Sequence, residues 1–285
     1  SPGGSKIYRH RETAASDGHV ADADTDAIVA HLEAKIGKTD GVWHEIVSDK
    51  VHIDVHFIPP HGDDNVWTLF TTGMSARPMT TPPSFDGPKR GELILRLPAD
   101  WPLTQEAFAD EKNYWPVRWL KMLARLPHDY NTWLWPSHTI PNGDPAKPLS
   151  SATKQNGMMV VPATCLDDGD EIVTTSSGPV MLMAIMPLYP EEMQFKLEQG
   201  YDALIEKLVA ADIDDDRADV HEHPPFVALP DQGLGNAAHH AQGTVLAVDL
   251  LAVLLACGDV AEHPGGDPRP AIGMALGHAA AIFNP

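Results

Sequence analysis

Three side chains that are able to bind a metal ion alternate along one short segment. His52, Asp54 and His56 are each separated by one apolar residue, with His44 and His61 nearby in the sequence as further ligand candidates. Alternate residues of a β-strand face the same side, and histidine and carboxylate are common zinc ligands. The same alternation is typical of an antiparallel strand with one solvent-facing side, and we favour this second interpretation, which needs no metal or other cofactor. The first interpretation keeps a metal-dependent hydrolase as an alternative.

Three other patterns resemble catalytic or cofactor motifs only in part. Residues 73–75 begin like a nucleophile elbow, but Arg77 occupies a position that requires glycine. Residues 233–238 match a loose dinucleotide loop, but they are not followed by the βαβ unit that such a site requires. The histidines of residues 221–240 have no recognisable ligand spacing. We therefore predict that the chain is not an enzyme.

Aromatic residues are concentrated in the middle of the chain. Six of them fall within residues 114–135: Tyr114, Trp115, Trp119, Tyr130, Trp133 and Trp135. Large aromatic side chains pack protein cores and, where they are partly exposed, dominate the energetics of interfaces. Core packing is the favoured interpretation for any single ring. For the group, we predict that at least one ring edge faces a groove.

The periodicity of apolar residues predicts the elements that position these side chains. Helical spacing covers residues 22–36, 117–126 and 191–211, and Pro127 is predicted to end the second helix. Strand-like runs cover residues 50–58, 66–72, 92–97, 158–161, 171–175 and 180–187. Because the strands are not each followed by a helix, we predict an α+β fold with a mixed, mainly antiparallel sheet and packed helices.

The charge of the chain is strongly and unevenly acidic. Forty acidic and twenty basic residues among 285 give a net charge of −20, and residues 211–285 contain eleven of the acidic residues and two of the basic ones. Such a field repels nucleic-acid phosphates and anionic lipids, so we exclude both as partners and favour a basic protein. We predict a tail at residues 1–21, a folded domain at 22–211, and an acidic linker with a helical C-terminal extension at 212–285.

Cysteine usage and hydropathy bear on the compartment. Cys165 and Cys257 have no neighbouring cysteine, so a disulfide framework and a thiolate zinc site are not expected. Residues 1–17 lack the apolar run of a signal peptide, and the longest apolar stretch, residues 245–257, is too short to cross a bilayer. We expect a cytoplasmic protein.

Several motifs, taken in order, carry a resemblance to a known family. They are FTTGMS at 70–75, GELILRLP at 91–98, NTWL at 131–134, HTIPNGDP at 138–145, PLYPEEM at 187–193 and FKL at 195–197. Each motif alone is weak, but the ordered set resembles the suppressor of fused domain, in its bacterial branch. The resemblance covers residues 22–211 and implies the fold of that domain.

The resemblance also implies a function. Animal members of the family sequester Gli-type transcription factors by clamping a short peptide, and bacterial members are proposed to be immunity proteins that neutralise secreted toxins. The resemblance therefore implies a non-enzymatic protein-binding module, and a basic toxin domain would suit the acidic charge of this chain. A regulatory scaffold is a further alternative.

Binding residues are predicted from the same resemblance. Animal members have an acidic residue before the loop histidine, whereas Ser137 precedes His138 here, which implies a different partner. Pro141 and the Asn142-Gly143 pair favour a turn, so we predict an exposed surface at residues 138–144. The candidate partner-binding residues are Trp133, Trp135, His138, Asn142 and Asp144.

Overall fold

The computed structural model of the protein describes residues 6–8, 22–44, 51–62, 65–211 and 270–272. The predicted C-terminal helices, the histidines of residues 221–240 and the dinucleotide-like residues 233–238 lie outside these ranges. In chain order the elements are β1 (Lys6–Tyr8), α1 (Asp22–Lys35), β2 (Gly41–Trp43), β3 (Asp54–Ile58), β4 (Val66–Thr72), β5 (Arg90–Pro98), α2 (Glu111–Asp129), β6 (Thr139–Pro141), β7 (Gly157–Pro162), β8 (Ile172–Thr175), β9 (Gly178–Leu188), α3 (Pro190–Gln199), α4 (Tyr201–Ala210) and β10 (Pro270–Ile272).

Eight of the strands form one mixed sheet. Its order is β2-β3-β4-β5-β9-β7-β6, and β8 pairs with β9 beside this path. The pairing of β5 with β9 is parallel, and the other pairs of this sheet are antiparallel. Strands β1 and β10 pair in parallel as a separate two-stranded sheet, and β10 lies beside β6. The predicted α+β class with a mainly antiparallel sheet is confirmed.

Helices cover both faces of the sheet. Along β5, Leu93 and Leu95 belong to the apolar cluster that contains α2, whereas Ile94 belongs to the cluster that contains α1, α3 and α4. This division follows from the alternation of side chains along a strand. The fully buried Trp115 and Trp119 of α2 pack in the first cluster, as the core interpretation of single aromatic rings predicts.

The second and third predicted helices differ from those in the structure. The helix α2 begins at Glu111, where the side chain of Asp110 caps the backbone N–H of Lys112. Pro127 does not end α2, and the helix continues through this buried residue to Asp129. The single predicted helix at 191–211 is divided at Gly200, whose φ of 97° interrupts the helical backbone between α3 and α4. Tertiary packing explains the first difference, since Leu126, Pro127 and His128 are all buried.

Strands β2 and β6 were not predicted, because three residues are too short for a periodic pattern. The predicted strand at 50–58 begins at Asp54 in the structure. None of the helices in the described ranges has the length and hydropathy needed to cross a membrane.

Candidate functional site

A buried carboxylate organises the turn that follows β4. Glu92 of β5 is fully buried. Its Oε1 accepts hydrogen bonds from the backbone N–H of Gly73 at 2.9 Å, the N–H of Ser75 at 2.9 Å and the Ser75 hydroxyl at 2.6 Å. Its Oε2 accepts from the Thr71 hydroxyl at 2.6 Å. Burial raises the pKa of Glu92, while the hydrogen bonds from Ser75, Thr71 and Gly73 act in the opposite direction.

Glycine is required where this turn begins. Gly73 has a φ of 111°, and a Cβ atom at this position would lie 1.8 Å from the backbone oxygen of His52. Both the positive φ and the close approach of the chain exclude a side chain. The glycine of the FTTGMS motif is therefore explained by backbone geometry.

The side chains of Arg90 and His128 also form hydrogen bonds to the backbone of this turn. Arg90 Nη1 donates to the Ser75 carbonyl at 2.6 Å, and His128 Nε2 of α2 donates to the Met74 carbonyl at 2.8 Å. Ser75 is buried and its hydroxyl donates to Glu92 rather than to a histidine. The elbow-like residues 73–75 thus form a structural turn, without the histidine base that would activate a nucleophile.

Two histidines, His44 and His52, face the carboxylate of Asp54, but His56 does not join them. His44 Nδ1 lies 2.9 Å from Asp54 Oδ2, and His52 Nε2 lies 3.8 Å from Asp54 Oδ1. His56 instead contacts the Thr72 hydroxyl at 3.0 Å and stacks on a core phenylalanine, and burial lowers its pKa. Across the described ranges, no group of three or more His, Cys, Asp or Glu side chains is placed to hold a metal ion.

Residues 132–137, which we call the strap, connect α2 to β6. The strap begins after Asn131 (φ 48°) and ends at Ser137 (φ 82°). Asparagine tolerates positive φ relatively well, whereas serine rarely adopts it. The Ser137 N–H donates to the Val160 carbonyl of β7 at 2.9 Å, which fixes the strained residue at the sheet. The strap therefore enters β6 through an unfavourable backbone conformation.

Two predicted binding residues lie on the strap and are partly exposed. The Trp135 ring meets Phe85 edge to face, with centroids 4.8 Å apart. The Trp133 ring meets His138 in the same manner at 5.3 Å. Trp133, Trp135 and Phe85 all have intermediate exposure. We call these three partly exposed rings the strap surface.

The predicted exposure of residues 138–144 is wrong for Thr139 and Ile140 and, among the five candidate residues, for His138. Its side chain is 1% exposed, because residues 139–141 form β6 and pair with β7 rather than forming a surface turn. Asn142 is half-buried and donates its side-chain amide to the carbonyls of Lys147 at 3.0 Å and Pro148 at 2.7 Å. Asp144 is exposed. Of the five predicted residues, Trp133, Trp135 and Asp144 therefore reach the surface. Asn142 forms hydrogen bonds within its loop, and His138 is buried.

Sequence reasoning did not predict that the charged side chain of Lys196 is buried in the domain. Its side chain reaches from α3 to β6 and is 1% exposed. Nζ donates to the Thr139 hydroxyl at 3.5 Å, and burial lowers the pKa of Lys196 to about 8. A signal was present in the sequence, since Lys196 lies between Met193 and Leu197 in the apolar stripe of the helix.

The backbone N–H and C=O groups of Thr139 lie on the side of β6 that faces away from β7. The Val160 N–H donates to the His138 carbonyl and the Asn142 N–H donates to the Asn156 carbonyl, both at 2.8 Å. Bonding alternates along an antiparallel pair, so the N–H and C=O of Thr139 point away from β7. Lys196 Nζ therefore lies beneath the outer edge of the eight-stranded sheet.

A second aromatic surface lies at the opposite end of the sheet and serves as a comparison. Its five rings are partly buried: Trp43, Phe57, Trp67, Phe108 and Tyr114. The ring centroids of Trp43 and Phe108 are 4.7 Å apart. The indole N–H of Trp67 donates a hydrogen bond to the Ala99 carbonyl at 3.1 Å. We call these rings the β2-end surface.

Comparison with known proteins identifies the family. The family model described as suppressor of fused protein (SUFU) matches residues 49–221, which is more than half of the chain. The fold is similar to that of a SUFU homologue from Neisseria gonorrhoeae, with a TM-score of 0.53 and 14% identity over 72% of this chain and 97% of that chain. It is also similar to a chain in the Sufu–Fu complex crystal structure, with a TM-score of 0.51 and 15% identity over 72% of this chain and 92% of that chain. No curated protein sequence matches.

The chain belongs to the SUFU family. The resemblance seen in the ordered sequence motifs is thereby confirmed, and a bacterial homologue is among the proteins with the same fold.

Proposed function

We propose that this protein is a non-enzymatic binding module which neutralises a secreted bacterial toxin by stoichiometric binding in the cytoplasm. Membership of the SUFU family carries this proposal. A protein with the same fold has been crystallised in the Sufu–Fu complex, which supports protein binding as the activity of the fold. Residues 22–211 form the binding domain in this proposal.

The strap surface is the favoured contact region. Trp133, Trp135 and Phe85 are partly exposed, and aromatic rings of this kind supply much of the binding energy at protein interfaces. Asp144 is exposed beyond the end of β6 and adds a negative charge to the surface there. Partly exposed aromatic rings suit a partner that packs an apolar side chain against them.

The charge favours a basic partner. Of the net charge of −20, −9 belongs to residues 211–285, so the proposed extension at 212–285 is the more acidic part per residue. Opposite charge accelerates association and is weakened by salt. A basic toxin domain would therefore bind quickly at low ionic strength, and the acidic extension would contribute to its capture.

Co-expression with the toxin encoded beside its gene tests the proposal. We expect the full chain to rescue growth and to form a one-to-one complex whose affinity falls as salt is raised, measured by calorimetry. Trp135→Ala should lower the affinity by about tenfold or more, as expected for an interface hot spot. Trp67→Ala on the β2-end surface is the matched control and should leave the affinity unchanged.

The outcomes separate the function from the surface. A chain that neither rescues growth nor binds the toxin would contradict the proposed function. Rescue that is lost in Trp67→Ala but retained in Trp135→Ala would move the contact region to the β2-end surface.

A further inference from the structure

Three rings of the β2-end surface meet at tilted angles. The ring centroids of Trp43 and Phe108 are 4.7 Å apart, with an interplanar angle of 44°. Those of Phe108 and Tyr114 are 5.4 Å apart, with an interplanar angle of 58°. All three side chains have intermediate exposure. Because neither pair is stacked face to face, the ring faces point in different directions and are not hidden against each other.

The segment that carries Phe108 and Tyr114 is acidic. Residues 100–114 contain four acidic side chains and one basic side chain, and all five are exposed: Asp100, Glu106, Asp110, Glu111 and Lys112. Burial raises the pKa of Tyr114, and the negative charge of Glu111 raises it further, whereas Arg118 lowers it. The segment therefore places net negative charge beside the rings.

The nearby basic side chains leave part of this negative charge unpaired. Arg118 donates to Glu111 at 2.6 Å and to the Leu149 carbonyl at 2.9 Å, so its charge offsets one carboxylate. Among the described residues, Glu106 is in no ion pair. The faces of aromatic rings are themselves electron-rich and attract cations. Rings and carboxylates at this surface thus favour the same kind of ligand, an organic cation.

The shape of the surface distinguishes between organic cations. A guanidinium group is planar and has five N–H donors that need acceptors. A quaternary ammonium group is nearly spherical and has no N–H donor, so it needs only ring faces and a negative field around it. Rings inclined to one another at 44° and 58° contact a rounded group better than a flat one.

We propose that Trp43, Phe108 and Tyr114 bind a small quaternary ammonium compound, with the carboxylates of residues 106–111 beside its positive charge. This site is separate from the proposed toxin contact, since the strap surface lies at the opposite end of the sheet. Trp67 lies outside the site, because it contacts Phe57 and not the three rings that bind the cation.

Titration of the full chain with choline tests the inference, with tryptophan fluorescence and calorimetry as the measurements at constant ionic strength. The control ligand is the neutral alcohol in which carbon replaces the nitrogen of choline, since it has the same shape without the charge. We expect choline to bind at one site in the millimolar range, and the alcohol to bind at least about tenfold more weakly. Guanidinium should also bind more weakly than choline.

Two substitutions locate the site. Phe108→Leu keeps an apolar side chain but removes a ring, and should weaken choline binding by about tenfold. Phe85→Leu on the strap surface is its matched control and should leave choline binding unchanged. Glu106→Gln, at an exposed position where folding is not at risk, should weaken binding by about two- to threefold. Glu206→Gln on α4 is the control for this change of charge.

Several results would overturn the inference. Equal binding of choline and the neutral alcohol would show an apolar surface without selectivity for cations. Tighter binding of guanidinium than of choline would contradict the class of ligand. The inference also falls if choline does not bind, or if Phe108→Leu and Glu106→Gln bind it as tightly as the wild type. The toxin co-expression experiment decides the proposed function independently of all these results.

Discussion

Glu92 and Lys196 are both fully buried charged side chains, but their surroundings differ. Glu92 accepts four hydrogen bonds of 2.6 to 2.9 Å from Thr71, Gly73 and Ser75. Within the part of the chain that the structure describes, Lys196 makes one hydrogen bond of 3.5 Å to Thr139. A buried carboxylate with this many donors stabilises the fold, whereas a buried ammonium with one weak acceptor costs stability.

The backbone near Glu92 is unstrained, whereas the backbone near Lys196 is strained. Near Glu92, the position with positive φ is occupied by Gly73, which adopts it without strain. Near Lys196, at the entry to β6, a positive φ is imposed on Ser137. Unfavourable features that are retained in one region often mark function. The turn after β4 therefore has a structural role, whereas the strap and β6 retain two features that cost stability.

Removal of the Glu92 carboxylate gives the largest expected effect. Glu92→Ala leaves several buried donors without an acceptor and should lower the free energy of unfolding by roughly 3–5 kcal/mol. Urea denaturation measures the loss. Glu206→Ala, at an exposed position of α4, should change stability by less than about 0.5 kcal/mol. Equal effects of the two substitutions would contradict a stabilising role for the hydrogen bonds of Glu92.

Gly73→Ala tests the backbone of the same turn. The added Cβ would lie 1.8 Å from the His52 carbonyl oxygen, so we expect a loss of about 3 kcal/mol or more, from the clash as well as the positive φ. Gly178 has a φ of 115°, and a Cβ added there would meet nothing within 4 Å. Gly178→Ala is therefore a matched control that reports the cost of positive φ alone, about 1 kcal/mol. A similar loss in both variants would contradict the close approach at Gly73.

In contrast to the two preceding substitutions, Lys196→Met should raise the free energy of unfolding. The pKa of Lys196 is lowered from 10.5 to about 8 by burial. At about 1.4 kcal/mol for each pH unit of displacement, the charged form costs up to about 3 kcal/mol at neutral pH. Urea denaturation at pH 7 should show this gain for Lys196→Met and no gain for Lys112→Met. An unstable Lys196→Met would mean that the ammonium is satisfied in the folded state.

The pH dependence of stability provides a second measurement of the same charge. Between pH 8 and pH 10.5, the unfolded chain retains a proton on Lys196 that the folded protein has lost. Stability therefore rises with pH across this window, since the unfolded state binds more protons. The difference in stability between Lys196→Met and the wild type should shrink from pH 8 to pH 10.5. A constant difference would show that the pKa of Lys196 is not displaced.

Ser137→Gly has the smallest expected effect. Glycine adopts a φ of 82° without the steric cost that serine has, so the free energy of unfolding should rise by about 0.5–1 kcal/mol. Ser151→Gly, at an exposed position with ordinary φ, should instead lower stability slightly, because glycine adds freedom to the unfolded chain. Thermal denaturation compares the two variants. A loss of stability in Ser137→Gly would show that the strap is not strained at this residue.

Much of the fold followed from local patterns of sequence. The helix at α1 and the strands at β4, β5, β7, β8 and β9 were predicted from the spacing of apolar residues, and no boundary differs by more than two residues. The family followed from short motifs in a fixed order, and the matched region confirms it. These features depend on residues that are near one another in the chain, so periodicity and motif order are sufficient to find them.

The candidate site was only partly predicted. Trp133, Trp135 and Asp144 reach the surface, whereas the turn signals of Pro141 and Asn142 suggested exposure for His138 as well. The pairing of β6 with β7 decides that His138 is buried. Such pairing depends on residues distant in sequence, and a three-residue strand carries too little pattern to reveal it.

The sequence by itself determined the α+β class, the family and the acidic charge, because composition, periodicity and motif order are local or additive properties. Tertiary structure alone decided which charges are buried and how they are bonded. Glu92 lies in a strand and Lys196 in a helix, and neither residue type is normally buried. Their burial comes from β4 and α2 meeting β5 and from the contact of α3 with β6. These contacts create one carboxylate with four short hydrogen bonds and one ammonium with a single long one.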